Sequence, residues 1–126
     1  MKLIIDAHSW IEYLNGGAAG EKLSKMLKGD NDIYVLPITI AEVVGKVKGA
    51  NGNVETAYSA IIKNAKIQES TPKMAKDAGL LYVEIRKKIP NFGLVDSIII
   101  STAKITGAKV VTGDPHFKQF KEAIIL

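Results

Sequence analysis

Leu3-Ile4-Ile5-Asp6, close to the start of the chain, is a run of three apolar residues that ends directly in a carboxylate. Val110-Val111-Thr112-Gly113-Asp114 has the same form, with a polar residue and a glycine before the carboxylate. Apolar runs this short, bounded by polar or turn residues, are typical of buried strands in a parallel sheet. Asp6 and Asp114 should then lie just beyond the carboxyl ends of two strands, where open α/β sheets build their binding sites.

Two further acidic residues lie within apolar sequence of helical character. Glu42 is part of Ile40-Ala41-Glu42-Val43-Val44, and Asp96 is part of Leu94-Val95-Asp96-Ser97-Ile98. A charge in such surroundings is unfavourable without a partner, and a divalent cation would be one. Mg²⁺ and Mn²⁺ are hard ions that prefer carboxylate and water oxygens. The sequence therefore predicts a metal site suited to phosphodiester hydrolysis, with four candidate residues: Asp6, Glu42, Asp96 and Asp114.

Each of these carboxylates also has a purely structural explanation. Asp6 could cap the first helix, and Glu42 could be an exposed helix residue. Asp96 could occupy a helix N-terminus, where the helix dipole favours it, and Asp114 could be a turn residue in Gly-Asp-Pro. The metal site is favoured because all four positions are predicted to converge at one edge of the sheet. Without a metal, repulsion between the like charges should raise the carboxylate pKa values.

The composition is that of an ordinary globular domain. The chain has 126 residues, of which 47% are hydrophobic and 24% are charged, and we expect one domain over residues 1–126. The absence of cysteine excludes disulfides and thiolate zinc sites and is consistent with a cytoplasmic protein. We expect neither a signal peptide nor a membrane span, because the apolar runs are too short. The net charge of +4, carried mostly by lysines, favours a polyanionic partner or simply solvates the surface.

Strand-like and helix-like segments alternate along the chain, which predicts a parallel sheet covered by helices on both faces. The predicted strands are 2–5, 33–36, 66–69, 109–112 and 123–126, the third being the least marked. The predicted helices are 9–15, 19–28, 37–47, 54–64, 72–88, 94–106 and 115–121. Ser9 is the expected cap of the first helix. Tyr58, Ile61 and Ile62 are expected to face inward, and helix 94–106, apolar nearly all round, should be central.

Four segments of the chain resemble the motifs of PIN domains, in order and at similar spacing. Asp6-Ala7-His8-Ser9-Trp10-Ile11-Glu12 is similar to the opening of that family, and Ile40-Ala41-Glu42-Val43 to its second acidic position. Leu94-Val95-Asp96-Ser97-Ile98-Ile99-Ile100 resembles the third position. Val111-Thr112-Gly113-Asp114-Pro115-His116-Phe117 resembles the closing Thr-x-Asp-x-x-Phe segment. The size of the chain is similar to that of the VapC toxins of toxin–antitoxin pairs.

The resemblance implies a three-layer α/β/α sandwich with a central, mostly parallel sheet of four or five strands. It implies an Mg²⁺- or Mn²⁺-dependent endoribonuclease that leaves a 3′-hydroxyl and a 5′-phosphate. Asp6 and Asp96 would be the most direct metal ligands, while Glu42 and Asp114 would often act through water. Thr112 would help to orient a carboxylate. The implied partners are an RNA substrate, a cognate antitoxin and a second copy of the chain.

Some features leave alternatives open. Many relatives carry a hydroxyl residue two positions after the first aspartate, where this chain has His8. His8 could approach the phosphate or could pack or cap, and His116 could touch the substrate or face solvent. A non-catalytic PIN-like module that binds RNA or protein is the alternative function. A phospho-receiver domain fits less well, because only Asp6 follows the first strand and no lysine directly follows Val110-Val111-Thr112.

Overall fold

Five short strands form one parallel sheet in the computed structural model, which describes residues 1–126. The strands are β1 (Lys2–Ile5), β2 (Asp32–Val35), β3 (Lys66–Ile67), β4 (Lys109–Thr112) and β5 (Ala123–Ile125). The helices are α1 (Ala7–Asn15), α2 (Ala18–Lys28), α3 (Pro37–Gly49), α4 (Val54–Asn64), α5 (Pro72–Arg86) and α6 (Leu94–Thr106). A 3₁₀ helix covers Pro115–Gln119. No helix combines the length and the apolar character that crossing a bilayer requires.

The order of the strands across the sheet is β3-β2-β1-β4-β5, and every neighbouring pair is parallel. The chain builds outward from β1 through β2 to β3, and then returns to the other side of β1 to add β4 and β5. The direction of winding therefore reverses between β1 and β4. Open α/β sheets bind their ligands in the crevice beyond the carboxyl ends of the strands at such a reversal. The predicted sheet is confirmed, and its geometry selects the edge that carries Asp6 and Asp114.

Successive side chains of the strands point to opposite faces of the sheet, and each face has its own apolar core. Leu3 and Ile5 belong to one core, and Ile4 belongs to the other. The first core is completed by residues from α1 to α4: Trp10, Leu23, Val43, Ala57 and Ile61. The second core is completed by α5, α6 and the segments that flank α6: Ile85, Phe92, Ile99, Ile100, Ala103 and Phe117. The result is the predicted three-layer α/β/α sandwich.

The bounds of several helices follow from local hydrogen bonds. Asn53 Oδ1 accepts a hydrogen bond from Thr56 N at 3.0 Å and begins α4. Thr71 Oγ1 accepts from Met74 N at 3.2 Å and begins α5. Gly107, with φ of 73°, ends α6 in the left-handed conformation that glycine adopts without strain. The predicted helices 54–64 and 94–106 therefore agree with α4 and α6 at both ends.

The prediction that Ser9 caps the first helix is wrong. The helix begins at Ala7, because Asp6 Oδ1 accepts a hydrogen bond from Ser9 N at 2.8 Å. The Ser9 hydroxyl instead donates to the carbonyl of Val111 on β4 at 3.1 Å. Ser9 therefore ties α1 to the sheet, directly beside the crevice between β1 and β4.

Two other predictions also need correction. Ile61 is buried, but Tyr58 is 44% exposed and Ile62 is 42% exposed. Ala57 and Ile61, four residues apart, form the stripe of α4 that packs on the sheet, and the helical repeat turns Tyr58 and Ile62 away from it. The third strand and the last helix are shorter than predicted, at 66–67 and 115–119.

Gly20 lies where α1 and α2 approach most closely. A Cβ atom at this position would overlap the carbonyl oxygen of Glu12 and come within 3.2 Å of Tyr13 Cα. We expect Gly20→Ala to lower the free energy of unfolding by about 1–3 kcal/mol, because backbone atoms cannot easily move aside. Gly79→Ala is the matched control, since Gly79 lies in α5 with no atom within 4 Å of the added Cβ.

Gly79→Ala should raise the free energy of unfolding by about 0.5–1 kcal/mol through helix propensity alone. Urea denaturation followed by circular dichroism measures both variants. An equal gain in both variants would show that α1 and α2 do not pack as closely as the structure indicates.

Candidate active site

All four carboxylates predicted from the sequence line one cavity of about 370 Å³ at the carboxyl edge of the sheet. They come from four separate segments: Asp6 follows β1, Glu42 lies in α3, Asp96 lies in α6 and Asp114 follows β4. We call this cavity, lined by Asp6, Glu42, Asp96 and Asp114, the acidic cavity. The structure therefore brings together the residues that the sequence placed at this edge, although up to 108 positions separate them in the chain.

Asp6 is held in place by both its backbone and its side chain. Its N–H donates to the Val111 carbonyl at 3.2 Å, which continues the pairing of β1 with β4. Its Oδ1 accepts from Ser9 N, and the residue is only 6% exposed. No residue of the chain donates a hydrogen bond to Oδ2. Asp6 thus caps α1 and lines the acidic cavity at the same time, so the two explanations offered by the sequence are compatible.

Asp96 is the third residue of α6 and is half-buried. Its Oδ2 accepts a hydrogen bond from Gly93 N at 3.3 Å, which closes the first turn of the helix. Burial raises the pKa of Asp96 above its ordinary value, and the charges of Asp114 and Asp6 raise it further. The Gly93 N–H and His116 oppose this increase in the pKa but do not cancel it. The ionised form of the Asp96 carboxyl is therefore unfavourable in the folded protein.

Glu42 is half-buried and its carboxylate makes no hydrogen bond or ion pair within the chain. Burial raises the pKa of Glu42, and the charges of Asp96 and Asp6 add to the increase. The Lys46 ammonium acts in the opposite direction. Two members of the cluster, Glu42 and Asp96, thus have pKa values shifted upward, as expected for carboxylates that share a site.

Asp114 lies in the turn between β4 and the 3₁₀ helix. Its N–H donates to Thr112 Oγ1 at 3.0 Å, and its Oδ1 accepts from His116 N at 2.9 Å. The His116 Nδ1 atom lies 3.3 Å from the same carboxylate oxygen. Thr112 is buried, and its hydroxyl oxygen holds the backbone N–H of the residue that carries the Asp114 carboxylate.

His8 stands at the mouth of the acidic cavity. Its side chain is 54% exposed, and its Nε2 lies 3.6 Å from Glu12 Oε1 in the next turn of α1. A Cβ atom at position 113 would come within 2.6 Å of the His8 ring, so Gly113 permits the turn after β4 to approach the ring. Sequence reasoning singled out His8 but did not detect its close approach to Gly113.

The donor set is suited to a hard divalent cation, because it consists of carboxylates and excludes thiolates. In the structure as it stands, no three histidine, aspartate or glutamate side chains lie close enough together to hold one ion directly. The arrangement fits an ion that keeps several water ligands, since Mg²⁺ commonly binds proteins through one or two carboxylates. A cation would also offset the burial and the repulsion between carboxylates, which together raise the pKa values of Glu42 and Asp96.

Lys46 is the lining residue that sequence reasoning missed. It lies on α3 one helical turn after Glu42 and lines the acidic cavity. The signal was present in the sequence, because residues four apart on a helix lie on the same face. Val47 and a second lysine, Lys48, directly follow it, so the sequence alone did not distinguish Lys46 from the other lysines.

The profile of the PIN domain family matches residues 3–123, which is nearly the whole chain. The chain belongs to the PIN domain family. This membership confirms the resemblance found in the sequence, and it covers all four segments that carry the acidic residues. Among curated proteins, no significant match to the chain was found.

Solved structures of other PIN-fold proteins resemble this chain over most of its length. One belongs to the VapBC2 complex of Rickettsia felis bound to promoter DNA, with 22% identity, a TM-score of 0.77 and coverage of 100% of this chain and 98% of that one. Another belongs to a toxin–antitoxin complex from Klebsiella pneumoniae, with 18% identity, a TM-score of 0.76 and coverage of 97% and 95%. VapC20 of Mycobacterium tuberculosis, described as cleaving the sarcin–ricin loop, has 13% identity, a TM-score of 0.68 and coverage of 86% of both chains. At these identities the likeness shows the shared fold.

Replacing Glu42 by glutamine is expected to stabilise this PIN domain in the absence of metal at neutral pH. Because its pKa is raised in the folded state, Glu42 contributes stability that is present at low pH and is lost as the pH rises through the folded-state pKa. In EDTA at pH 7, Glu42→Gln should therefore melt at a higher temperature than the wild type. The difference should shrink as the pH falls below ~4, where the wild-type carboxyl is protonated in both the folded and the unfolded state.

Glu69→Gln is the matched control for that experiment, since Glu69 is exposed and lies away from the acidic cavity. Its melting temperature should follow that of the wild type at both pH values. A lower melting temperature for Glu42→Gln in EDTA would mean that Glu42 stabilises the fold and would contradict the electrostatic explanation.

Proposed function

We propose that this protein is an Mg²⁺- or Mn²⁺-dependent endoribonuclease and the toxin of a toxin–antitoxin pair. The observation that supports the proposal most strongly is the convergence of Asp6, Glu42, Asp96 and Asp114 in one cavity. The cavity lies at the reversal of the winding between β1 and β4, where α/β sheets bind their ligands. The repulsion within the cluster supports a site that is complete only with a cation.

A bound divalent cation would supply an activated water and would neutralise charge on the phosphate oxygens of RNA. Asp6 and Asp96 are the proposed direct ligands by resemblance to the family. A backbone N–H fixes one oxygen of each carboxylate and leaves the other oxygen free, as it also does in Asp114. Glu42 has no such restraint, so we assign it to contacts through water. The backbone N–H of His116 donates to the Asp114 carboxylate, and the backbone N–H of Asp114 donates to the Thr112 hydroxyl. These two hydrogen bonds hold the turn in place.

Family membership and the similar solved structures support the nuclease and toxin assignments. VapC20 is described as a toxin that cleaves the sarcin–ricin loop, and two other similar structures are a toxin–antitoxin complex and a VapBC complex. By analogy we propose that a cognate antitoxin enters the acidic cavity and disturbs metal binding. The homodimer stays a prediction based on the resemblance, and the cytoplasmic location stays a prediction based on the absence of cysteine.

The separation of the carboxylates favours a second candidate, a PIN module that binds RNA or protein without cutting. No three acidic side chains are placed to hold one ion directly, so a metal-free binding role has an observation in its favour. The retention of all four carboxylates in an unfavourable cluster argues for the nuclease. Binding of RNA without metal-stimulated cleavage would identify the module.

Cleavage of a single-stranded RNA with added Mg²⁺ or Mn²⁺, compared with cleavage in EDTA, tests the nuclease assignment. The expected products carry a 5′-phosphate and a 3′-hydroxyl, which enzymatic ligation of the fragments detects. Calorimetric titration with Mg²⁺ and with Mn²⁺ tests the metal site separately. Lack of both metal uptake and metal-stimulated cleavage would overturn the proposal.

A further inference from the structure

Lys46 is the only lysine or arginine among the residues that line the acidic cavity. It is exposed on α3, and its ammonium takes part in none of the ion pairs or hydrogen bonds of the chain. Lys104, by contrast, is held by Glu122 at 3.1 Å, and Lys73 by Asp77 at 2.9 Å. Lys46 therefore carries a positive charge at the acidic cavity that no residue of the protein neutralises through a direct contact.

Lys46 also lines a second cavity, of about 570 Å³, between α1, α3 and α4. We call it the α1–α3–α4 cavity; its lining includes Ile11, Leu14 and Val47, with Asn15 and Asn53. The two cavities share Lys46 and no other lining residue. A polymer strand that passed from one cavity into the other would pass the Lys46 ammonium.

A cluster of four carboxylates repels the phosphates of RNA at the distances of a binding site. An RNA nuclease with such a site needs positive charge of its own where the strand enters or leaves. Lysine is suited to this task, because its ammonium binds phosphate oxygens as a point charge and does not read base identity. The one basic lining residue of the acidic cavity meets that need in position and in charge.

We propose that Lys46 binds a non-bridging oxygen of an RNA phosphate at the junction of the two cavities. The strand would then run from the acidic cavity into the α1–α3–α4 cavity. This inference rests on the proposed nuclease function. It adds a substrate-binding residue and a path for the RNA strand across the protein. No base is read by this contact, so the effect of Lys46 is the same for RNA of different sequence.

The experiment compares the full-length wild type with Lys46→Met, Lys46→Arg and Lys48→Met. Methionine keeps the length and the helix propensity of the side chain but removes its charge. Lys48 lies on the same helix and is exposed, but it lines neither cavity, so Lys48→Met is the matched control. KM and kcat are measured for cleavage of a labelled single-stranded RNA in Mg²⁺. Fluorescence anisotropy in EDTA measures affinity for the same RNA over a range of salt concentrations.

Lys46→Met should raise KM and weaken RNA binding roughly tenfold, as expected for the loss of one charge-assisted hydrogen bond, with a smaller change in kcat. The slope of log affinity against log salt should fall by about 0.7, the value for one phosphate contact on a single strand. Lys46→Arg should restore most of the affinity, and Lys48→Met should stay within about twofold of the wild type. A merely structural role for Lys46 would not change the salt slope.

The outcomes separate this inference from the nuclease assignment. Wild-type cleavage with unchanged KM and salt slope in Lys46→Met would overturn the Lys46 contact and leave the nuclease standing. Wild-type RNA binding without cleavage, weakened in Lys46→Met with a smaller salt slope, would support the contact while the nuclease assignment fails. Equal losses in Lys46→Met and Lys48→Met would overturn the contact, because they would show an effect of general surface charge. Absence of both RNA binding and RNA cleavage in the wild type would also overturn it.

Discussion

Asp96→Asn is expected to reduce Mg²⁺-stimulated RNA cleavage by about 100-fold or more while leaving the fold intact. Replacing a residue that only supports a metal ligand commonly costs 10- to 100-fold, so loss of a proposed ligand should cost at least as much. The fold should survive because the asparagine oxygen can still accept the hydrogen bond from Gly93 N. Removing an ionised group whose pKa is raised by burial also removes an unfavourable charge from the folded protein.

Asp32→Asn is the matched control for that experiment. The chemical change is the same, but Asp32 lies at the opposite end of the strands, as the first residue of β2. Its only ion pair is an exposed one with Lys66 at 3.7 Å. Cleavage rates, measured beside circular dichroism spectra and melting curves, should be nearly equal for Asp32→Asn and the wild type. Asp6→Asn should behave like Asp96→Asn. Equal cleavage by the wild type and both cavity variants would remove the catalytic assignment.

The position of the site was predictable from the sequence because two of its carboxylates directly follow strands. In a parallel sheet, the carboxyl ends of neighbouring strands meet at one edge, so Asp6 and Asp114 had to lie close together once β1 and β4 were paired. The bounds of α4 and α6 were predictable because Asn53, Gly93 and Gly107 make hydrogen bonds to residues only a few positions away in the chain. Hydrogen bonds between such close neighbours do not depend on how distant parts of the chain pack.

Features that depend on long-range packing were not predictable from one sequence. Tyr58 and Ile62 are apolar enough to suggest burial, but the stripe of α4 that meets the sheet is set by how α3 and α4 pack together. Ser9 was assigned to the cap because its hydroxyl suits that role. Its true partner, the Val111 carbonyl, is 102 positions away and becomes visible only when α1 lies against β4.

The first turn of α6, which carries Asp96, and the turn that carries Asp114 lie beside a cluster of three aromatic side chains. Phe92 lies four residues before Asp96, and Phe117 lies three residues after Asp114. The ring centroids of Phe92 and Phe117 are 5.4 Å apart, and Phe120 lies 5.7 Å from Phe92 and 6.1 Å from Phe117. The spacing and tilt of the rings are those of favourable aromatic contacts. Packing in this core therefore fixes two sides of the acidic cavity at once.

Phe117→Ala is expected to lower the free energy of unfolding by about 3–5 kcal/mol, the usual cost of deleting a fully buried aromatic side chain. For a domain of this size that loss corresponds to a decrease of roughly 10–20 °C in the melting temperature. Phe120→Ala is the control, because Phe120 is only partly buried and should cost less. Urea and thermal denaturation measure both variants. If Phe117→Ala lost no more stability than Phe120→Ala, the buried Phe117 ring would not stabilise this cluster more than the partly buried Phe120 ring does, and the Asp114 turn would need another support.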